Sequence, residues 1–545
     1  MFVNVSEYLR DRAARSGDAV ALVEAFGDRR QVTWSELDGH ADAIARWLSR
    51  RGLVAGHRVG LCLGNRIEFV AACLGAMRAG LLVVPMNPRS AVGEFVRMIA
   101  DSGSRVLFCD EATVHQVRHA AENVGAALSG AGDELRARAV VADLVVVEAV
   151  AEEGETRYEA VVATADGEVP PSPTDPETLA TLLYTSGTSG KPRGVMLTHR
   201  ALVANIEQVA AIEPPPMSPD DVILGLLPLF HIYGLNCILS QAVRQGARLV
   251  LVDHFDADAT LDLVAEHAVT NIPIAPPVVA AWAGRTGLRE RLATVRHVLS
   301  GASALDPELA AVFAESSGVV VEQGYGLTET APVLTTTLAG GGRTPGGLPK
   351  PGSVGGPLQD VQIRIVDVSG QDAADDDPGE IWVRGPNLFS GYWPDGVDGP
   401  DADGWYATGD IGFLDADGDL TLVDRMRELV IVSGFNVYPS EVEEVIAELA
   451  TVVEVAVIGV PDVETGEAVH AFVVPADEMA EDGAGRSLGE HALVEAVRAQ
   501  CESRLARFKW PQHVTVVTGL PHSATGKVAK GRLRAQTRRD ALGLG

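Results

Sequence analysis

The chain has 545 residues, more than one hydrophobic core usually organises, so we expect several subdomains. Hydrophobic residues make up 46% and charged residues 22%, a balance that is typical of folded globular proteins and excludes wholesale disorder. With 44 Lys and Arg against 74 Asp and Glu, the net charge of -30 disfavours nucleic acids and anionic lipid surfaces as partners.

The five cysteines are scattered without any CxxC spacing, which argues against a disulfide framework and against a zinc site. This usage favours a reducing compartment. The N-terminus carries charges where a signal peptide needs an apolar core, and no apolar run reaches the ~18 residues of a spanning helix. We therefore expect a cytoplasmic protein with no integral membrane segment.

The first part of the chain alternates helical stretches with short β-branched runs. Residues 1 to about 110 contain ADAIARWLSRRG and EFVAACLGAMRAG between runs such as RVGLCLG and GLLVVPMN, which predicts parallel βαβ units. Residues from about 111 to 175 are rich in Ala, Glu and Asp and end in PPSPTDPET, so we expect a peripheral segment. The alternation then resumes up to about residue 340, and ligands of such sheets bind at the carboxyl ends of the strands.

The predicted secondary-structure pattern changes twice in the last third of the chain. Residues 353–424 contain short strands joined by Gly and Asp turns, a pattern that is typical of a small antiparallel barrel. After Asp424, strands and helices predict a self-contained α+β module, with a hinge near residues 425–428. The fold class is therefore α/β, with an N-terminal domain over residues 1–424 and a small C-terminal domain over residues 425–545.

The stretch YTSGTSGKPRG, residues 184–194, directly follows an apolar strand. Its small residues let backbone N–H groups turn toward an anion, and Lys191 adds a formal charge, so we interpret it as a phosphate-binding loop. It is not a Walker A loop, because two residues separate Gly187 from Gly190 and Pro192 replaces the magnesium-binding hydroxyl. A flexible Ser/Gly linker is the alternative interpretation.

Lysine is rare in this chain, since arginine occupies nearly every other basic position. Two of the five lysines, Lys191 and Lys527, lie in Ser/Thr/Gly loops, TSGKP and SATGK. A lysine amine is a compact charge on a flexible stem that can reach into a site. Both are candidates for anion binding, with chance retention as the alternative.

Three further motifs carry side chains suited to a nucleotide and an acid. In EQGYGLTET, Tyr325 could stack on a base, Thr328 contact a phosphate and Glu329 bind magnesium, or Thr328 could merely cap a helix. Asp410 in WYATGD could accept hydrogen bonds from ribose hydroxyls or belong to a β-turn. His231 in PLFHIYG lies among apolar residues, where a satisfied core histidine is the commoner case.

In chain order, YTSGTSGKPRGV, PLFHIYG, LSGAS, QGYGLTET, GEIWVRGPNLFSGYW, WYATGDIG, DRMRELVIVSGFNVYPSEVE and LPHSATGK resemble the core motifs of the adenylate-forming superfamily. That superfamily holds acyl-CoA synthetases, peptide-synthetase adenylation domains and beetle luciferase. The resemblance covers nearly the whole chain. It implies that a carboxylate attacks the α-phosphate of ATP, releases pyrophosphate and leaves an acyl-adenylate, which a thiol attacks after the C-terminal domain rotates.

The resemblance also implies a fold and a set of roles. The large domain would contain two stacked α/β subdomains plus the small β-barrel, and the C-terminal domain would be mobile about Arg427, at the pivot position. Lys527 would bridge the attacking carboxylate and the α-phosphate, His231 would border the acyl channel, and Gly434 would face the thiol. For ATP and Mg²⁺, the resemblance implies that Tyr325 stacks on adenine, Thr328 contacts the α-phosphate, Glu329 binds magnesium, and Asp410 and Arg425 bind the ribose. The nucleotide site would also include Gly301, Ala302, Gly324 and Gly326. The residues implied to bind the β- and γ-phosphates are Thr185, Ser186, Gly187, Thr188, Ser189, Gly190 and Lys191.

The substrate acid is the least determined part of this interpretation. Amino-acid-activating relatives carry an aspartate near the pocket motif, and LLPLFHIYGLNCILS offers none, so an apolar carboxylic acid fits better. The motifs most resemble fatty-acyl-CoA ligases, with aryl-CoA ligases close behind. We therefore predict a medium- or long-chain fatty-acid–CoA ligase that uses coenzyme A. An aryl-CoA ligase, a ligase that loads an acyl carrier protein and a catalytically silent nucleotide sensor are the alternatives.

Overall fold

The computed structural model describes residues 2–127, 141–165, 167–185, 192–303, 305–339, 342–344, 348–367, 369–374, 377–425, 428–432, 435–462, 465–476, 486–505, 507–523 and 526–541. In chain order the strands are β1 (Val20–Glu24), β2 (Gln31–Thr33), β3 (Arg58–Cys62), β4 (Leu82–Pro85), β5 (Ser104–Asp110), β6 (Asp143–Val147), β7 (Thr156–Arg157), β8 (Leu179–Thr185), β9 (Arg193–Thr198), β10 (Val222–Gly225), β11 (Arg248–Leu251), β12 (Asn271–Ile274), β13 (His297–Ser300), β14 (Val321–Gly326), β15 (Val333–Thr336), β16 (Gly356–Pro357), β17 (Gln362–Val366), β18 (Gly379–Arg384), β19 (Tyr406–Leu414), β20 (Leu420–Arg425), β21 (Val430–Val432), β22 (Phe435–Val437), β23 (Val452–Asp462), β24 (Gly466–Pro475) and β25 (His513–Val516).

The α-helices are α1 (Ser6–Ser16), α2 (Trp34–Arg50), α3 (Ile67–Arg78), α4 (Val92–Ser102), α5 (Val114–Ala127), α6 (Tyr158–Val162), α7 (His199–Ala210), α8 (Gln241–Gln245), α9 (Ala257–Glu266), α10 (Pro276–Trp282), α11 (Leu288–Arg291), α12 (Pro307–Ser317), α13 (Pro439–Ala447), α14 (Arg486–Arg504) and α15 (Lys530–Ala541). A π-helix spans Tyr233–Ser240, and 3₁₀ turns span Thr328–Thr330 and Arg507–Lys509.

Two large sheets share one hydrophobic core. The first has the order β7-β6-β5-β3-β4-β8-β9 and the second β16-β15-β14-β13-β12-β10-β11-β1-β2; both are parallel in their central strands. Leu61 of the first sheet and Leu251 of the second belong to the same core cluster. Helix α3 lies in that cluster with all of its residues buried, as a helix that is apolar on every side requires. The predicted pair of stacked α/β subdomains is confirmed.

The remaining strands form two smaller sheets. Strands β17 to β20 make an open antiparallel sheet in chain order where the sequence predicted a small barrel. Strands β21 to β25 make the sheet of the C-terminal unit, and Val442 of α13 and Val497 of α14 pack in its core. The fold class is thus α/β with a large N-terminal and a small α+β C-terminal part. The division at residues 424 and 425 stays a prediction, because hinge residues 426 and 427 lie outside the described residues.

Within the described part of the chain, no helix is both long enough and apolar enough to cross a membrane.

Candidate functional site

A cleft of about 3650 Å³ opens at the carboxyl ends of β13 and β14 and extends to the segment around Lys527. Eleven of the predicted site residues line it: Thr185, His231, Gly301, Ala302, Gly324, Tyr325, Gly326, Thr328, Glu329, Asp410 and Lys527. Gly301, Ala302 and Gly324 to Glu329 lie together because β13 and β14 are parallel neighbours, whereas Thr185, Asp410 and Lys527 come from β8, β19 and the C-terminal unit.

The other predicted residues divide into two groups. Ser186, Gly187, Thr188, Ser189, Gly190 and Lys191 lie outside the described residues, as do Arg427 and Gly434. Arg425 ends β20, where its backbone pairs in register with Asp410 of β19. The roles assigned to all of these residues stay predictions.

Tyr325 and Asp410 join two walls of the cleft. The Tyr325 hydroxyl donates a 2.7 Å hydrogen bond to Asp410 Oδ2, and both side chains are buried. The Asp410 backbone N–H donates to the Thr408 hydroxyl at 3.1 Å. A buried hydrogen bond to a carboxylate is among the stronger kinds, so it fixes the aromatic ring and the acid relative to each other. The candidate base-stacking and ribose-binding groups therefore form one rigid unit.

Glu329 lies in the 3₁₀ turn that follows β14. Its carboxylate Oε1 accepts a 2.6 Å hydrogen bond from the Tyr392 hydroxyl, and its carbonyl oxygen accepts one from the Phe389 N–H at 2.9 Å. Burial, followed by the charge of Glu329, raises the pKa of Tyr392, so the hydroxyl stays protonated and donates.

The carboxylate oxygens of Glu329 are suited to binding a magnesium ion. This ion prefers hard oxygen ligands and usually takes one or two carboxylates plus substrate phosphates instead of an all-protein cage. Among the described residues, no group of three His, Cys, Asp or Glu side chains could hold a metal. A single oriented carboxylate beside Thr328 in a large cleft matches that mode of binding.

His231 and Lys527 both line the cleft. Burial, with a smaller contribution from the Lys527 ammonium, lowers the pKa of His231 to about 4. The imidazole is therefore neutral near neutral pH. Its Nδ1 accepts a hydrogen bond from the Tyr233 N–H at 3.3 Å, which leaves the proton on Nε2. His231 borders the cleft, so the interpretation as an ordinary core histidine is disfavoured.

The Lys527 loop is closed on itself and packs on α10. The Ser523 N–H donates to the Lys527 carbonyl at 2.7 Å, and the Lys527 N–H donates to the Ser523 hydroxyl at 3.2 Å. Gly526 has φ +80°, and a Cβ there would lie 2.8 Å from Pro277 Cγ. Glycine is thus required both by the left-handed backbone and by the close approach to the large domain.

Tyr233 was missed by the sequence analysis. It begins the π-helix after His231, and its hydroxyl donates to the Leu299 carbonyl at 3.2 Å. A Cβ on Gly301 would lie 2.7 Å from Tyr233 Cε1, so the ring lies directly over that glycine. Phe230, Cys237 and Leu299 extend this apolar part of the cleft. The residue lay in the PLFHIYG motif, but no sequence pattern distinguished it from its apolar neighbours.

Comparison with known proteins agrees with this arrangement. The family model described as "AMP-binding enzyme" matches residues 9–393, and the one described as "AMP-binding enzyme C-terminal domain" matches residues 441–527. The chain therefore belongs to the AMP-binding enzyme family, the adenylate-forming superfamily whose motifs it resembles.

Three relatives illustrate the similarity. The chain is 33% identical to 4-coumarate–CoA ligase-like 9 of Oryza sativa subsp. japonica, over 98% of this chain and 92% of the relative. It is also 33% identical to indoleacetate–CoA ligase of Aromatoleum aromaticum, over 93% of each chain. The crystal structure of ATP-bound MatB from Rhodopseudomonas palustris matches with a TM-score of 0.84 at 28% identity, covering 99% of this chain and 100% of that chain.

Proposed function

We propose that this protein is an ATP-dependent acid–CoA ligase that activates an aromatic carboxylic acid as its adenylate and transfers the acyl group to coenzyme A. The observation that carries the proposal is that Lys527 lines one cleft together with His231, Tyr325, Asp410 and Glu329. A cation is thereby brought to the place where an organic acid and a nucleotide phosphate would meet.

The first half-reaction needs two anions to approach each other. Unit charges 4 Å apart repel by about 4 kcal/mol at an effective dielectric of about 20. Lys527 would lie between the attacking carboxylate and the α-phosphate and offset that repulsion. Lys191 and its neighbours would bind the leaving pyrophosphate. Magnesium bound at Glu329 would supply charge neutralisation on the phosphates.

The nucleotide would be held by the rigid unit described above. Tyr325 would stack on the base, Asp410 and Arg425 would bind the ribose, and Thr328 would contact the α-phosphate. Because Tyr325 and Asp410 are already joined by a buried hydrogen bond, the orientation of the nucleotide would cost little ordering on binding. Such preorganisation favours in-line attack on the phosphorus.

The apolar part of the cleft supports an aromatic acid better than a fatty acid. Tyr233 lies over Gly301 and provides a flat wall, and aromatic rings pair favourably with one another. Two of the relatives given above are named 4-coumarate–CoA ligase-like 9 and indoleacetate–CoA ligase, and both names refer to aromatic acids. The prediction of a fatty acid is therefore replaced by its aryl alternative. His231, neutral and with a proton on Nε2, would border the bound acid without adding a competing charge.

The second half-reaction would follow rotation of the C-terminal domain about residue 427. Arginine there keeps the charge of the lysine found in many relatives of this kind. Gly434 would then face the thiol of coenzyme A, where the absence of a side chain leaves room for it.

A panel of substituted benzoic, cinnamic, indoleacetic and medium- to long-chain fatty acids would test the proposal. Pyrophosphate release is measured for each acid with ATP and Mg²⁺, followed by thioester formation on adding coenzyme A or a phosphopantetheinylated carrier protein. We expect an aromatic acid to be preferred and coenzyme A to be consumed. Preference for fatty acids, acyl transfer only to the carrier, or ATP binding without pyrophosphate release would each contradict the proposal.

A further inference from the structure

The motif GEIWVRGPNLFSGYW contains a segment whose place in the cleft the proposed roles leave unexplained. We define the strap as residues 389–398. Its backbone pairs with β9: the Trp393 N–H donates to the Gly194 carbonyl at 2.8 Å, and the Met196 N–H donates to the Gly391 carbonyl at 3.2 Å. Strand β9 begins immediately after the glycine-rich stretch. The strap is thereby fastened to the exit of the candidate phosphate loop.

Tyr392 of the strap lies between two charged groups. Its hydroxyl donates the 2.6 Å hydrogen bond to Glu329 Oε1, and the Arg193 guanidinium lies 3.6 Å from the centre of its ring. Arg193 in turn pairs with Asp398 at the far end of the strap, at 2.6 Å. The Phe389 ring meets Tyr392 edge-on at 5.1 Å, which fixes the plane of the ring.

The hydrogen bond constrains which way the Glu329 carboxylate points. Among the described residues, Tyr392 is the one side chain that donates to that carboxylate. A glutamate side chain has rotatable bonds that an unrestrained carboxylate would sample, and holding one oxygen leaves the second oxygen for a metal ion in the cleft. The strap also pairs with β9, so the hydrogen bond links Glu329 to the strand that begins at Arg193, two residues after Lys191.

We propose that Tyr392 is a positioning residue that orients Glu329 for a divalent cation. The inference rests on the proposed function for the role of Glu329. Tyr392 itself would contact neither the metal nor the substrates. Partners that orient metal ligands in this way typically contribute about 10- to 100-fold to metal affinity or activity.

The test measures binding of Mn²⁺ by electron paramagnetic resonance, with the full-length protein and a non-hydrolysable ATP analogue, in the absence of any acid. Tyr392→Phe keeps the ring beneath Arg193 and removes the hydroxyl, which donates to Glu329 and also forms a hydrogen bond with Tyr406. We expect its Mn²⁺ affinity to fall about 10- to 100-fold. In a separate assay with ATP and an acid that the panel shows to be activated, the Mg²⁺ concentration for half-maximal pyrophosphate release should rise in parallel, while the affinity for metal-free nucleotide stays unchanged.

Tyr8→Phe is the matched control, because the Tyr8 hydroxyl donates to the Glu207 carboxylate at 2.5 Å in a separate surface pocket. Its Mn²⁺ affinity should equal that of the unmodified protein. If Tyr392→Phe folds poorly, 4-aminophenylalanine and 4-methylphenylalanine at residue 392 provide the same comparison at nearly constant volume. Only the amine retains a donor and should preserve metal affinity.

Two results would overturn the inference: Mn²⁺ affinity unchanged in Tyr392→Phe, or reduced equally in Tyr8→Phe. Because no acid is present, failure of the inference is distinguishable from failure of the proposed function. A protein that binds Mn²⁺–nucleotide in a Tyr392-dependent way but activates no acid would contradict only the latter.

Discussion

The two walls of the cleft are built on different principles. Tyr325 and Asp410 lie on the wall that belongs to the large domain, where both side chains are buried and joined by a hydrogen bond. Lys527 lies on the wall that belongs to the C-terminal unit. Within that unit, Lys530 forms partly exposed ion pairs with Glu428 at 3.1 Å and Glu443 at 2.8 Å. The first wall is fixed by buried hydrogen bonds, and the second belongs to a separate domain that is stabilised in part by ion pairs.

This difference indicates which wall can move. Buried hydrogen-bonded groups are costly to separate, because each would lose its partner without gaining water. The close approach of Gly526 to Pro277 lies between the C-terminal unit and the large domain, and each van der Waals atom pair of this kind contributes only about 0.1–0.2 kcal/mol. Under the proposed function the C-terminal domain would present Lys527 for one half-reaction and withdraw it for the next, which a van der Waals contact permits more easily than buried hydrogen bonds would.

The largest effect that we expect comes from removing the cation of the movable wall. Lys527→Ala should slow adenylation by about 10²- to 10³-fold, because one well-placed charge is lost from the transition state. Conversion of supplied acyl-adenylate and coenzyme A to thioester should continue, since that step follows rotation. Lys509→Ala, which breaks the 2.5 Å contact with Glu441 elsewhere in the same domain, is the control. Adenylation at the unmodified rate in Lys527→Ala would refute its role.

A smaller effect should come from the fixed wall. Gly301→Ala would place a Cβ 2.7 Å from Tyr233 Cε1 and push that ring into the acid pocket. Overpacking typically costs about 1–3 kcal/mol, so kcat/KM for the acid should fall about tenfold. The KM for ATP should change little, because Tyr325 and Asp410 are not displaced. Gly39→Ala, where a Cβ meets no atom within 4 Å, is the control. Equal losses for ATP and acid would argue against an acid-pocket role for Tyr233.

The ion pairs of Lys530, close in sequence to the Lys527 loop, should have a smaller effect on the rate of adenylation. Lys530→Met removes the ion pairs with Glu428 and Glu443 but keeps the aliphatic stem. Adenylation should fall about fivefold, in line with a partly exposed pair of about 1 kcal/mol. Thioester formation from supplied adenylate should be unaffected. Arg504→Met, which removes the exposed pair with Glu448, should change neither rate. A loss in both half-reactions would show that Lys530 stabilises the domain generally.

The smallest effect concerns pH. The pKa of His231 is lowered to about 4, so the group should remain neutral, and adenylation should show no histidine inflection between about pH 6 and 8. A depressed folded-state pKa means that the contribution to stability is present above the unfolded value of about 6.5 and is lost as the pH falls toward 4. Histidine NMR titration, with His231→Asn for assignment, measures this directly. Titration near pH 6.5 would contradict the buried, cation-adjacent environment.

Much of the fold could be predicted, because the spacing of apolar residues and the residue composition indicate which segments form strands and helices. The alternation of strands and helices predicted the two large sheets, and the motif order indicated the family. The barrel expected over residues 353–424 is instead an open sheet, because closure depends on strand tilt and stagger, which alternation does not encode. Tyr233 and Tyr392 were missed because their importance lies in contacts with Gly301 and Glu329, which are distant along the chain.

By itself, the sequence determined which chemical groups are present: a glycine-rich loop with its lysine, a second lysine near the C-terminus, and the acids and aromatics between them. Those are local properties, written in residue type and spacing. Only the tertiary structure decided that Lys527 and His231 line the same cleft, and that Tyr392 donates to Glu329 while its strap pairs with β9. Such distances are set by the packing of strands and domains against one another, which no linear pattern specifies.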